Sequence, residues 1–152
     1  MENNNYLLYQ IYQTATFTPF SNCKMKNALT SLLSVWNAHG KRSNKQQNRI
    51  LEKTVIRRLV KNGLKPQLIW GGSANMDYRE LTIVFNANSL YLAKSYAKFA
   101  KQNAFYVVKK RQVYLVKTMG REKPLKLAYL DKHTKNYPLR LLKYGKNQAV
   151  AE

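Results

Sequence analysis

The residues predict an α+β fold of the ferredoxin-like, split βαβ kind: an antiparallel sheet with two helices on one face, plus a basic C-terminal extension. Three observations lead there. Apolar runs and helical periodicities follow one another as strand, helix, strand, strand, helix, strand, strand. Both helical stretches carry an apolar stripe opposite a basic one. The last two strands flank a link of two residues, Lys110-Arg111, as a hairpin does.

The elements follow in order. Residues 6–12, YLLYQIY, are apolar and short, compatible with helix or strand. The run LTSLLSVW from Leu29 to Trp36 reads as a buried strand that ends at Asn37 in a turn around Gly40. Ser43 with Gln46 three residues later forms a capping box, opening a helix to about Asn62 that Gly63 stops. A short strand, Gln67–Trp70, follows Pro66, whose missing donor costs least at a strand start. After the Gly71-Gly72 turn, RELTIVF (79–85) reads as the next strand. Asn88 or Ser89 caps a second helix through about Gln102, and AFYVVK (104–109) and QVYLVK (112–117) form the hairpin. The expected division is one domain over 1–119 and a basic extension over 120–152, the latter an arm or a small element added to the sheet.

Charge is the strongest functional signal. Twenty-seven Lys and Arg against seven Asp and Glu give a net charge of +20 on 152 residues. Such a chain repels itself, and a polyanion relieves the repulsion. Nucleic acid fits best, since each cation set on a phosphate releases counterions. On the first helix Arg49, Lys53, Arg57 and Lys61 form a row opposite Leu51, Val55 and Leu59, with Glu52 the acid beside them. On the second, Lys94, Lys98 and Lys101 oppose Leu92, Tyr96, Phe99 and Ala100. The loop HGKRSNK adds Lys41, Arg42 and Lys45 at a helix N-terminus that suits a phosphate, though without the spacing of a Walker loop. The turn Lys109, Lys110, Arg111 is either a phosphate anchor or a charged tip that discourages edge pairing. Trp36 and exposed tyrosines can stack on bases, and Asn37 and His39 belong to the same loop. Asn48 falls on the apolar stripe of the first helix, where a buried amide needs a partner; the turn 37–40 is the nearest.

Several classes are set aside. The carboxylates Asp77 and Glu80 are the one close pair, and Glu80 is more simply an arginine partner, so no catalytic residue, metal site or cofactor is expected. His39 and His133 lack metal-ligand spacing. No stretch is long enough to span a membrane, the amino-terminal residues lack a signal peptide's positive charge, and the single Cys23 reads as a small core residue. A cytoplasmic setting fits.

In order along the chain, Trp36-Asn37, Gly40, Ser43, Asn48, Leu51, Leu59, Glu80 and FAKQNAF (99–105) resemble a bacterial and phage family, the domain of unknown function 3293, over residues 29–117. The chain has Ala38-His39 where that family has proline. The resemblance marks Trp36, Asn37, Asn48, Glu80 and Gln102 and implies no reaction. The expected function is a non-catalytic binder of RNA or DNA through the phosphate backbone. The alternatives are a phage or mobile-element inhibitor of a host nucleoprotein defence complex, and an enzyme acting on a phosphorylated ligand.

Overall fold

A computed structural model describes residues 11–21 and 29–136. Residues 6–10, Cys23 and the tail from 137 onward, all read above from sequence, lie outside the described residues. Residues 11–13 are helical. The other elements are β1 (Thr16–Phe17), β2 (Leu29–Ser34), α1 (Lys45–Lys61), β3 (Gln67–Gly72), β4 (Arg79–Ala87), α2 (Leu90–Phe99), β5 (Ala104–Lys109), β6 (Gln112–Lys117) and β7 (Leu125–Tyr129). Single 3-10 turns lie at Ala38–Gly40, between β2 and α1, and at Leu130–Lys132, after β7.

The helices start and stop where capping chemistry allows. Asn44, one residue later than expected, is the N-cap of α1: its side chain accepts the Gln47 amide at 2.8 Å, and Gln47 Oε1 accepts the Asn44 amide at 3.1 Å. The sequence offers both registers, and Ser43 is drawn elsewhere, its N–H donating to Asn37 Oδ1 at 2.9 Å. Gly63, at φ 82, ends α1, with the Leu64 amide reaching back to the Leu59 carbonyl. Ser89 caps α2 by accepting the Leu92 amide at 3.1 Å.

All seven strands pair antiparallel, in the order β1-β3-β4-β2-β5-β6-β7. Val55 and Leu59 of α1 and Ala93, Tyr96 and Ala97 of α2 share one apolar cluster with Leu33, Ile83, Phe85, Phe105, Val107 and Val116 of the strands. Each large side chain so buried contributes about 1.5–3 kcal/mol.

The ferredoxin-like expectation is overturned: the sheet has seven strands and curves as a half-barrel. The physical reason is its second face. Leu32, Ile69, Val84, Tyr106, Val108, Val113 and Leu115 form a second core there, covered by Phe17 and Leu130. An open two-layer sheet would leave those side chains in water. Curvature encloses them and brings the two sheet edges together. The Phe17 N–H donates to the His133 carbonyl at 2.7 Å, and the Lys135 N–H donates to the Phe17 carbonyl at 2.9 Å. Phe17 thereby bridges to Thr134 in parallel, beyond β7. Of the two roles left open for the residues after Gly120, those over 125–135 take the second and add to the sheet. No helix among the described residues is long and apolar enough to cross a membrane.

Candidate functional site

One end of the sheet gathers most of the residues singled out by sequence. β2 leaves the sheet into a loop whose backbone turns sharply, with Asn37 at φ 54, His39 at φ 59 and Gly40 at φ 71. These conformations cost an ordinary residue about 1–2 kcal/mol each, and side chains fix them here. The Asn37 N–H donates to Asn48 Oδ1 at 2.8 Å, and the Asn48 amide returns to Asn37 Oδ1 at 3.4 Å, both groups buried. Asn48 thus tethers the loop to α1. Gln102 Nε2 donates to the Trp36 carbonyl at 2.9 Å, and the His39 N–H donates to the Lys101 carbonyl at 2.6 Å, tying the end of α2 to the same loop.

Glu80 sits under this loop and has no arginine partner among the described residues. Its Oε1 accepts Asn37 Nδ2 at 2.7 Å and the Tyr78 hydroxyl, and its Oε2 accepts Ser34 Oγ at 2.6 Å. Three neutral donors hold the carboxylate. Burial, then the nearby Glu80 charge, pushes the Tyr78 hydroxyl far above the ordinary tyrosine value. Burial likewise raises Tyr106, with Tyr12 and Glu80 adding to it. Tyr106 donates its hydroxyl to the Tyr12 carbonyl at 2.5 Å. Both phenols therefore stay protonated as donors, and their stabilisation is complete below the unfolded value of 10.0 and is lost as pH rises through their raised values. In an alkaline titration followed by phenolate absorbance, Tyr78 and Tyr106 should ionise last, together with loss of tertiary structure. Normal titration of both would show that these contacts do not hold in solution.

Behind Glu80 the concave face contains a cavity of about 430 Å³ that reaches from the Asn37 loop to Phe17. Gly71 and Gly72 form part of its wall. Sequence reasoning missed it because its lining comes from residues 11–17, four further strands and three loops, with no local signature.

Comparisons with protein-family models, with curated proteins and with solved structures return no match. The geometry of this chain alone must then carry its functional reading.

The basic residues singled out by sequence divide into four groups. Lys41, Arg42, Lys45 and Lys101 surround the Asn37 loop, all exposed. Arg49, Lys53, Arg57 and Lys61 are exposed along α1, which starts at that loop and ends before β3. Gln67, at the start of β3, pairs with Val84 near the far end of β4, so the row runs the length of the sheet. Lys109, Lys110 and Arg111 lie at that far end, one strand-length of roughly 17 Å from Ala104. On α2, Lys98 is exposed, while Lys94 is half-buried and donates to the Gly120 carbonyl at 3.4 Å. Trp36 is engaged internally: its indole N–H donates to Glu52 Oε2 at 2.7 Å and its ring meets Trp70 edge-on at 5.5 Å. The most exposed rings among the described residues are Tyr91 on α2 and Tyr129 on β7, 84% and 60% exposed.

The phosphate-loop expectation at HGKRS loses most of its donors. The amides of Ser43, Asn44, Gln47 and Asn48 already have acceptors within the loop and first turn. Lys41 and Arg42 remain as exposed cations beside it.

Proposed function

We propose that the chain binds nucleic acid through its phosphate backbone, without catalysis, along the outer face of α1 and the basic groups at either end of it. The observation that carries this reading is the fate of Glu52. It is the one acid on α1, and its carboxylate accepts the Trp36 indole. No ion pair joins it to Arg49, Lys53, Arg57 or Lys61 among the described residues. Four cations at a four-residue spacing repel by a few tenths of a kcal/mol per pair, and a polyanion reverses the sign.

Backbone conformation supports the same reading. Lys110 and Arg111 stand at φ 51 and 65, the two-residue turn that normally takes Asn-Gly. Lys101, at φ 55 just past α2, occupies a position that favours glycine. Charge is kept at three positions where the backbone prefers another residue. Replacing Lys110 by Asn and Arg111 by Gly together should raise stability by about 1–2 kcal/mol, read from the urea midpoint. The same double change should weaken nucleic-acid binding and flatten its salt dependence by about two units. A gain in stability with unchanged binding would remove the hairpin tip from the interface.

The direct test is a salt titration of binding to single- and double-stranded RNA and DNA. Log affinity should fall steeply and linearly with log salt for every sequence, because phosphate contacts carry no base information. A flat line would end the proposal. Stacking by Tyr91 or Tyr129 would show as a preference for single strands, lost on changing either to alanine. An inhibitor of a host nucleoprotein complex would use this same surface, and a pull-down that survives nuclease treatment would favour it.

A further inference from the structure

The cavity behind Glu80 has a chemistry opposite to that of the surface. In a chain of charge +20, the described residues that line it include no Lys, Arg or His, and Glu80 is their one carboxylate. Its wall surface is mostly apolar, with the side chains of Phe17, Leu32, Tyr12 and Tyr106 among its lining. Its volume of about 430 Å³ falls in the range of small-molecule sites, roughly 300–1,000 Å³. A phosphate would find no cation inside and would face a carboxylate, so this space does not serve the nucleic-acid surface.

The hydrogen bonds of Glu80 leave a defined vacancy. A carboxylate offers about four lone-pair positions. Among the described residues, Asn37 and Tyr78 take both on Oε1 and Ser34 takes one on Oε2, leaving the other on Oε2. Three neutral donors orient the carboxylate but supply no compensating charge, which a partly buried ion lacks at a cost. Asn37 itself is 7% exposed, and its loop is fixed by Asn48, so the acceptor is held in place before any ligand arrives. The phenols of Tyr12 and Tyr106 share the negative field, and aromatic faces favour cations.

We propose that this cavity binds a small organic amine, an ammonium group on an apolar or aromatic body, with Glu80 as its anchor. The ammonium donates to the vacant position on Oε2 and neutralises the carboxylate. The body fills the apolar part of the cavity between the strands and residues 11–17.

The test uses three probes of one shape on the full chain: phenethylamine, the neutral 2-phenylethanol and the anionic phenylacetate. Binding is read by calorimetry and by chemical shifts of Tyr106 and Leu32. Phenethylamine should bind at least tenfold tighter than 2-phenylethanol, and phenylacetate should not bind. Glu80→Gln should remove that tenfold preference while leaving 2-phenylethanol unchanged. Ala104→Leu, which fills the cavity from β5 and leaves the Glu80 hydrogen bonds intact, should abolish binding of both, and it serves if Glu80→Gln does not fold. Equal affinity for amine and alcohol would overturn the proposal, as would amine binding that survives Ala104→Leu. So would the absence of binding by phenethylamine and by a panel of larger aromatic amines at millimolar concentration. None of these outcomes depends on nucleic-acid binding, so this proposal and the preceding one fail separately.

Discussion

Reversing Arg49, Lys53 and Arg57 to glutamate should weaken binding to every nucleic acid alike and reduce the salt slope by about three units, one for each lost phosphate contact. The change should fall more on association rate than a neutral substitution would, because the reversed row repels the approaching strand. All three side chains are exposed on α1, so the fold should survive with its melting temperature little altered. Filter binding or fluorescence anisotropy at several salt concentrations measures the effect. Affinity that survives the triple reversal would place the interface elsewhere, and the far hairpin tip would be the next surface to reverse.

The second large effect concerns the end of β3. A Cβ on Gly72 would stand 1.9 Å from the Tyr78 carbonyl oxygen and 2.8 Å from the Arg79 Cα, backbone atoms at the start of the paired strand and just before it. Neither can yield without breaking the β3–β4 register. Gly72→Ala should therefore cost about 4 kcal/mol or more, a large fraction of the stability of a domain this size. The urea midpoint or thermal melt measures it. Gly71→Ala makes a useful contrast. Its Cβ would meet the Thr82 hydroxyl at 2.7 Å and the Phe17 ring at 2.9 Å, side chains that can move. It should cost less, about 1–3 kcal/mol, by displacing Phe17 from the second core. Similar losses for the two would mean that the backbone clash at Gly72 is relieved by some rearrangement of the turn.

The elements of this fold were legible because they obey short-range rules. The hairpin over 104–117 was fixed by two β-rich runs around a two-residue link, and α1 and α2 by their stripes and caps. The curvature was not read, although a signal for it was present. IVF in β4 and FYVV in β5 are continuous apolar runs, the pattern of strands buried on both faces. What covers the second face, Phe17 and Leu130, lies far away in the chain, and no local rule links them to Tyr106.

The candidate sites divide in the same way. The basic row of α1 follows from helical spacing, and its exposure was expected from it. Asn48 announced its need for a partner by its place on an apolar stripe, and Asn37 supplies that partner. Glu80 was misjudged as an arginine partner, because in so basic a chain a cation is the statistical neighbour. Its actual partners, Ser34, Asn37 and Tyr78, are set by strand register and a loop, which only the fold brings together.

The pairing of Phe17 with Thr134 has a consequence for the order of assembly. As a chain is synthesised, Phe17 emerges long before the segment that completes its hydrogen bonds. Until Thr134 and Lys135 arrive, the strand at Phe17 has a partner on one side only, and the concave core lacks Leu130 above it. The face under the helices is built from residues 33–116 and can be complete while the other face is still open. Closure of the half-barrel is then a late folding step, joining segments that enter the world at opposite times.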